Sequence, residues 1–209
     1  MTAVTLGVWP EGSPEWLAAR QGRVGGSDIG VILGLSPFET RAELLHRKAG
    51  LLAPKPTSAA MERGRLLEPA VLTWLTDRTK TTVAPDLSAA TYVDADNDRH
   101  LCNPDAVTAC GALLEAKTTS DRTTSHGWGR AGTDQIPDHY LCQVTWTAGL
   151  IGLDRWHLGV LSGAVNGRPS LSFAAYKGRV DLDLYHDLRA AADAFLSDLD
   201  ALTARNQAA

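Results

Sequence analysis

The sequence predicts a single mixed α/β domain. Helical patterns occupy both ends of the chain, strand-like segments lie between them, and 209 residues with 44% hydrophobic side chains suffice for one substantial core. No stretch approaches the roughly 18 uninterrupted apolar residues of a membrane span, and no internal repeat is present. One domain is therefore expected to cover residues 1–209.

Three short helices are expected near the N-terminus. Ser13 and Pro14 occupy the positions of a capping residue and a first-turn proline for the first helix. A double-glycine turn at residues 25–28 opens the second helix. Thr40 and Glu43 have the spacing of a capping box, which predicts that the third helix begins there.

The centre of the chain changes from a helix to strands. A long helix is expected from Ser58 to about Thr76, bent at Pro69. Residues 120–137 are polar and rich in glycine, which predicts a mobile surface loop. Three strands precede this loop, and the last two form a hairpin: Val83–Val93, His100–Val107 and Ala112–Thr119.

The last third of the chain contains a helix, a strand pair and a second helix. The first helix runs from about His139 to Leu150, and an amphipathic helix closes the chain at residues 180–205. A turn at residues 166–169 joins the two strands between these helices, which are Trp156–Leu161 and Leu171–Tyr176.

The charge distribution limits how the protein can bind nucleic acid. The net charge of −4 argues against binding through an overall excess of positive charge. Six aspartates and two arginines lie from residue 181 onward, so this segment accounts for the whole imbalance. A local basic groove is compatible with this charge if the acidic final helix faces elsewhere.

The N-terminus and the cysteines indicate a cytoplasmic protein. The first basic residue is Arg20, so the charged region that begins a signal peptide is missing. Three cysteines cannot pair completely, and their spacing contains no Cys-x-x-Cys motif. We expect them to be reduced, buried thiols: Cys102, Cys110 and Cys142.

The predicted hairpin is the most informative segment for chemistry. A three-residue loop ending at Gly111 would place Asp105 opposite Glu115 and Asn103 opposite Lys117. Because side chains alternate between the faces of a strand, all four would project from one face. Two carboxylates this close repel each other, and a bound cation is the expected compensation.

Two interpretations of these residues are open. Two carboxylates and a backbone carbonyl suit Mg²⁺ or Mn²⁺ better than zinc, and Lys117 could orient or deprotonate an attacking water. Alternatively, this is an ordinary surface hairpin in which Glu115 pairs with Lys117. The pattern is too short to decide by itself.

Five separated motifs occur in a specific order along the chain. They are Trp16 and Arg20 followed by Gly25-Gly26-Ser27-Asp28-Ile29, then Gly64-Arg65-Leu66-Leu67-Glu68-Pro69, Asn103-Pro104-Asp105, Leu114-Glu115-Ala116-Lys117, and Ile136-Pro137-Asp138-His139-Tyr140-Leu141-Cys142-Gln143. Together they resemble the YqaJ-like viral recombinases, relatives of the phage lambda exonuclease in the PD-(D/E)XK nuclease superfamily. The resemblance runs from about Trp16 to Leu161.

This resemblance implies a PD-(D/E)XK fold, with a central mixed β-sheet flanked by helices. It implies a Mg²⁺-dependent exonuclease that degrades the 5′-ended strand of duplex DNA and leaves a 3′ single strand for recombination. Two metal ions per site, a homotrimer and a single-strand annealing partner also follow from the resemblance. The N-terminal helices at residues 13–50 would carry a 5′-phosphate site, and the catalytic core would span residues 58–161.

The family's residue roles transfer to individual positions. Lys117 would activate or position the nucleophilic water, and Gln143 would be a helix-borne active-site residue. Arg20 and Ser27 match the pair that receives the 5′-phosphate, in agreement with the affinity of guanidinium and helix N-termini for anions. The metal ligands would be Glu68, Asp105, Glu115 and the carbonyl of Ala116.

Two residues depart from the family pattern. Asn103 replaces the usual serine before the proline of the Pro-Asp motif, and Ala106 replaces the usual glycine after the aspartate. Asparagine can still hydrogen-bond a DNA phosphate, so we retain Asn103 as a DNA-binding residue. The positioning of the scissile phosphate is the property that these departures affect.

Other functions on this sequence remain open. A Cas4-like nuclease commonly needs four cysteines for an iron–sulfur cluster, and three are present. A restriction-type endonuclease would share the metal-binding hairpin but would not need Arg20 and Ser27 as a phosphate pair. A non-catalytic module would bind DNA ends, and it would not need Lys117 to do so. Most tryptophans are expected in the core, and base stacking by Trp128 of the polar loop is the less favoured alternative. Three basic residues share this loop and either contact phosphate or are solvated: Arg122, His126 and Arg130.

Overall fold

The structure, a computed structural model, describes residues 3–88, 90–122 and 126–208. The predicted mixed α/β class is confirmed. The helices are α1 (Pro14–Arg20), α2 (Gly26–Ile32), α3 (Arg41–Lys48), α4 (Ala59–Thr79), α5 (Pro85–Ser88), α6 (Asp138–Ile151) and α7 (Leu182–Gln207). The strands are β1 (Ala3–Gly7), β2 (Thr91–Asp94), β3 (Leu101–Cys102), β4 (Ala106–Val107), β5 (Leu113–Asp121), β6 (Arg155–Val165) and β7 (Arg168–Arg179).

A four-stranded mixed sheet, in the order β4-β5-β6-β7, forms the centre of the domain. Only β5 and β6 are parallel, and α6 connects them, as a parallel pair requires a crossover. Helix α4 packs on one face, where Gly159 of β6 lies against Val71 and Leu75. Helix α6 covers the other face, where Val144 packs with Leu158.

A second sheet of three antiparallel strands, β1-β2-β3, was not predicted. The predicted strand His100–Val107 is divided between the two sheets, because Pro104 has no N–H to donate to a ladder. The predicted strand Val83–Val93 is also shorter than expected. Residues 85–88 form α5, and the hydroxyl of Ser88 donates to the Ala84 carbonyl.

The N-terminal helices form where the caps predicted them. Ser13 Oγ accepts from the Trp16 N–H at 3.2 Å, and the Thr40–Glu43 capping box is present. In α2, however, the N-cap is Gly25, and the Asp28 carboxylate accepts the Gly25 N–H at 2.8 Å. Ser27 is therefore inside the helix, and its hydroxyl is available for a more distant partner.

The acidic final helix pairs with cations from the first half of the chain. Asp198 binds Arg41 at 2.8 Å, and Asp200 binds Arg99 at 2.7 Å. The buried side of α7 contributes Tyr185, Leu188 and Phe195 to the largest hydrophobic cluster. Among the described residues, no helix is long and apolar enough to cross a membrane.

The segment predicted as a mobile loop is more tightly attached than expected. Its first two residues belong to β5, and the Gly132 N–H donates to the Ala175 carbonyl of edge strand β7 at 2.8 Å. The Trp128 ring lies with its centroid 5.2 Å from that of Tyr176, in agreement with the expectation that most tryptophans belong to the core. Arg122 donates to the Tyr176 hydroxyl at 3.0 Å. His126 and Arg130 are exposed, and residues 123–125 lie outside the described ranges.

The expectation of three buried thiols holds for two cysteines. Cys102 and Cys142 are buried, and burial raises the pKa of both thiols. Cys110 is exposed at the tip of the β4–β5 hairpin, because residues of a short hairpin loop project beyond both strands.

Candidate active site

A cavity of about 350 Å³ collects most of the predicted site residues. Its walls come from the β1–α1 connection, the N-terminal helices, α4, the β3–β4 connection, β5 and α6. Glu115 does not line the cavity, but its carboxylate is bonded to two residues that do. The predicted residues in the lining are Arg20, Ser27, Glu68, Asn103, Asp105, Ala116, Lys117 and Gln143.

Glu115 is held between a cation and an amide. The Lys117 ammonium and the Gln143 amide both donate to Glu115 Oε1, at 2.5 Å and 2.6 Å. The side chain of Glu115 is buried, and Oε2 has no hydrogen-bond partner among the described residues. A buried carboxylate oxygen without a partner is unfavourable, so this atom is well suited to a further ligand.

The predicted hairpin register is confirmed. Ala106 pairs with Leu114, and Gly111 has a φ of +77°, the left-handed conformation that the loop requires. Asp105 lies one residue beyond the last pair, and its Oδ2 accepts the Ala116 N–H at 2.8 Å. Ala106, where the family has glycine, packs against Leu114 in a small hydrophobic cluster.

The predicted position of Asn103 opposite Lys117 is wrong. The ladder ends at Ala106, because the chain turns away at Pro104 into the second sheet. The Asn103 amide donates to the Thr91 hydroxyl at 2.6 Å, and its Oδ1 accepts from Arg20 at 3.3 Å. Asn103 therefore lies beside the predicted phosphate-binding pair rather than on the carboxylate face.

The cavity holds more negative than positive charge. Burial raises the pKa of Asp105 to about 7, with a further contribution from Glu115. Burial also raises the pKa of Glu68 to about 7, with contributions from Asp105 and Glu11. These carboxyl groups therefore repel one another in the absence of a compensating cation.

Lys117 is the cation closest to this group. Burial by itself would lower its pKa, but the carboxylates of Glu115 and Asp105 outweigh burial and raise it. The ammonium also lies 5.4 Å from the centroid of the Tyr140 ring. Its position is thus fixed by a carboxylate on one side and an aromatic ring on the other.

The donor set fits a hard divalent cation. Among the described residues, no three His, Cys, Asp or Glu side chains form a ready-made metal cage. Mg²⁺ does not require one, since it is usually held by one or two carboxylates together with water and substrate phosphate. Asp105, the unpartnered Oε2 of Glu115 and the carbonyl of Ala116 are oxygen donors of this kind, with Glu68 on the same cavity wall.

Arg20, Ser27 and Asn103 form a hydrogen-bonded cluster at the same cavity. Arg20 donates from Nη2 to Ser27 Oγ at 3.1 Å and from Nη1 to Asn103 Oδ1 at 3.3 Å. Its guanidinium carbon lies 4.6 Å from the centroid of the Trp16 ring. A guanidinium positioned in this way presents donors to an anionic group such as a phosphate.

A buried ion pair fixes the turn that carries Ser27. Asp28 binds Lys48 of α3 at 2.9 Å and also accepts the Gly25 N–H. Burial would raise the pKa of Asp28, but Lys48, Arg20 and the Gly25 N–H together lower it below its usual value. The turn between α1 and α2 is thereby tied to a third helix.

Five residues of the cavity were missed in the sequence: Trp9, Glu11, Ser88, Ala90 and Thr147. Trp9 and Glu11 lie in the connection between β1 and α1 and reach the cavity wall. The alternation of Val4, Leu6 and Val8 was the available indication of β1, and a strand there would have placed the following residues near the site.

A mixed sheet flanked by helices, with Glu115 and Lys117 on β5 and Asp105 beside it, has the architecture expected of the PD-(D/E)XK nuclease fold. The sequence matches the YqaJ-like viral recombinase domain over residues 15–153. The chain belongs to this family. It is 30% identical over 144 residues to the uncharacterized protein YqaJ of Bacillus subtilis, a match that covers 66% of this chain and 42% of YqaJ.

Solved structures share the fold. An alkaline exonuclease from Laribacter hongkongensis, LHK-Exo, superimposes with a TM-score of 0.71 at 19% identity, over 93% of this chain and 96% of that one. A phage-related exonuclease from Haemophilus somnus gives a TM-score of 0.63 at 12% identity, over 88% and 96% of the two chains. At these identities the similarity establishes the architecture.

Proposed function

We propose that this chain is a metal-dependent exonuclease that digests the 5′-ended strand of linear duplex DNA and leaves a 3′ single strand. One observation carries the proposal: the Arg20 cluster and the Asp105–Glu115–Lys117 group meet at one cavity. A phosphate-binding cluster beside hydrolytic residues suits an enzyme that holds a strand terminus while it cleaves nearby.

Each residue then has a role that its contacts support. Arg20 and Ser27 bind the terminal 5′-phosphate, and Asn103 binds a neighbouring phosphate. Lys117 orients the attacking water, and Gln143 holds the Glu115 carboxylate. Mg²⁺, or Mn²⁺ in its place, would be held as two ions by Glu68, Asp105, Glu115 and the Ala116 carbonyl, and would stabilise the negative charge that develops on the scissile phosphate.

The relatives support a nucleic-acid substrate. Two proteins with this fold are exonucleases by name, and LHK-Exo has been crystallised with dAMP. A more distant structure with a TM-score of 0.58 is a SOX–DNA complex. For this chain we accordingly propose duplex DNA ends as the substrate and the cytoplasm of a bacterial or phage-infected cell as the place of action.

The assembly forms part of the same proposal. We propose a ring-shaped homotrimer that encloses DNA and works with a single-strand annealing protein. The net charge of −4 supports a ring, since enclosure keeps the protein on DNA without an overall excess of positive charge.

The experiment compares linear duplexes with and without a 5′-phosphate, in Mg²⁺ and in EDTA, with a covalently closed circle as the control. We expect the phosphorylated linear duplex to be degraded fastest, only in Mg²⁺, while the circle stays intact. Cleavage of the circle would identify an endonuclease. End binding without digestion in either Mg²⁺ or Mn²⁺ would identify a non-catalytic module.

A further inference from the structure

A second cavity, of about 410 Å³, lies between the C-terminal half of α4 and β7. Helix α4 packs over β5 and β6, and the strand register places Phe173 and Lys177 of β7 on the same face of the sheet, beyond the helix. None of the predicted active-site residues, all of which are described, lines this cavity. We name it the α4–β7 cleft.

An aromatic pair forms one wall of the α4–β7 cleft. The rings of Trp74 and Phe173 are stacked, with centroids 4.9 Å apart and planes inclined by 20°. Phe173 is 38% exposed, and Leu171, two residues along the strand, is 77% exposed. Trp74 is half-buried and supports the more exposed Phe173 ring, which is a stacking surface for a planar ligand.

The charged residues of the cleft are all of one type. Arg78 and Lys177 line it, and no Asp or Glu is in the described lining. His157 also lines the cleft, but burial lowers the pKa of its imidazole, so it contributes no charge at neutral pH. Arg78 and Lys177 form no ion pair with any residue that the structure describes. In a chain of net charge −4, this unpaired positive charge attracts an anion.

We propose that the α4–β7 cleft binds single-stranded DNA, with bases stacked on Trp74 and Phe173 and phosphates contacting Arg78 and Lys177. Sites for single strands combine aromatic platforms with basic grooves in this way. Protein–protein interfaces also favour aromatic residues and arginine, but they are depleted in lysine, so Lys177 is the residue that favours a nucleic acid over a protein partner. This binding does not depend on strand cleavage.

The first test measures the affinity for a fluorescein-labelled oligothymidylate of about 12 nucleotides without a 5′-phosphate. Fluorescence anisotropy in EDTA, at low and moderate salt, compares Lys177→Glu with Arg205→Glu. Both changes alter the net charge equally, but Arg205 is exposed on α7, away from the cleft. We expect Lys177→Glu to weaken binding about tenfold or more and to reduce its salt dependence, and Arg205→Glu to change the affinity less than about twofold. Equal losses in the two variants would overturn the proposal.

The second test locates the strand directly on the unmodified protein. A single strand containing 5-iodouracil is photo-crosslinked in EDTA, and the crosslinked peptides are identified by mass spectrometry. Crosslinks at Trp74 or Phe173 support the cleft, and crosslinks confined to Trp9 or Trp16 in the first cavity contradict it.

A third measurement separates this site from the nuclease. Lys177→Glu should digest a short phosphorylated duplex in Mg²⁺ at the wild-type rate while it loses affinity for the oligothymidylate. A fall in both properties together would place Lys177 in the cleavage site and overturn the assignment of a separate site. If the wild-type protein digests no DNA, the affinity and crosslinking results still decide the proposal.

Discussion

Lys117 has the most closely constrained position of the residues at the candidate active site. Its ammonium donates to Glu115 at 2.5 Å and lies over the Tyr140 ring, so it can act on a water or phosphate without first moving. Lys117→Ala should lower kcat by about a hundredfold or more and leave the affinity for duplex ends nearly unchanged, since removing one fixed donor to the charge that develops in the transition state costs about 10²–10³-fold. Single-turnover digestion and an end-binding assay in EDTA measure the two properties. A wild-type kcat would make Lys117 only the salt-bridge partner of Glu115.

Arg20 is the residue whose removal should change substrate preference. Charge-assisted hydrogen bonds contribute about 1.5–3 kcal/mol, which corresponds to about ten- to a hundredfold in rate. Arg20→Ala should therefore digest phosphorylated and hydroxyl ends at similar, low rates, whereas the wild type should prefer the phosphorylated end. The measurement is the ratio of the two rates. Full retention of the preference in Arg20→Ala would place the phosphate site elsewhere.

Asp105 should make the metal-free protein less stable at neutral and higher pH. Its carboxyl has a pKa near 3.8 without burial, and burial raises this pKa to about 7 in the folded chain. As the pH rises from about 4 to 7, the unfolded chain loses this proton first, so the folded state loses stability. Above pH 7 the full loss of folding stability caused by ionised Asp105 is present, and below pH 4 this loss is absent.

Asp105→Asn tests this effect, because the amide oxygen can still accept the Ala116 N–H. In EDTA the variant should have a higher Tm than the wild type at pH 8, by about 2–4 °C for each kcal/mol recovered, and the difference should shrink towards pH 4. Added Mg²⁺ should raise the Tm of the wild type but not of the variant, because a ligand stabilises only the state that binds it. A Tm difference that is the same at all pH values would contradict the titration of Asp105.

At the scale of elements, the junction of α2 and α3 depends on the buried Asp28–Lys48 pair. Removing one partner of such a pair leaves a buried charge uncompensated and costs about 3–5 kcal/mol. Asp28→Asn should therefore destabilise the protein by about this amount and weaken the preference for 5′-phosphate, since the turn carrying Ser27 loses its anchor. Urea unfolding measures the stability.

Asp198→Asn is the matched control for the Asp28 substitution. This substitution breaks the Arg41–Asp198 pair between α3 and α7. Like the Asp28–Lys48 pair, it joins an aspartate to a basic side chain, but it is more exposed to solvent. Exposed pairs contribute about 0–1 kcal/mol, so this variant should remain close to the wild type. Similar losses in the two variants would show that burial of the Asp28–Lys48 pair has no special effect.

The β4–β5 hairpin shows how one residue divides an element between two sheets. Asn103 and Asp105 are two residues apart, and an uninterrupted strand would direct both side chains to one face. Pro104 ends the ladder instead, so Asp105 contacts Ala116 while Asn103 contacts Arg20 and Thr91. Because the ladder is interrupted, residues 103–105 contribute both to the Arg20 cluster and to the carboxylate group of the cavity.

At the scale of the whole molecule, we predict a closed homotrimer. A heterologous interface closes into a ring when its rotation permits, and a ring retains DNA by enclosure. Sedimentation equilibrium at micromolar concentration should give a mass near three times the 22.3 kDa of the chain. When both ends of a linear duplex are blocked after the protein has been loaded, a trimer should release the DNA more slowly than a variant trapped as a monomer. A monomer throughout the concentration range would contradict the ring.

The sequence by itself determined the features that depend on near neighbours. The caps at Ser13 and Thr40 and the left-handed Gly111 formed as predicted, because each requires only a few adjacent residues. The family motifs likewise contained many of the residues that line the cavity, since their order and spacing are written in the chain. Even the pairing of β4 with β5 followed from the length of one short loop.

Only the tertiary structure decided which of these residues meet. Asn103 joined Arg20 across 83 positions of the chain, and Trp128 of the polar segment packed on Tyr176 of β7. Trp9 and Glu11 reached the cavity from a strand that no motif marked. Such contacts depend on how sheets and helices bury their apolar faces against one another, a property of the whole packed domain to which each local pattern contributes only a part.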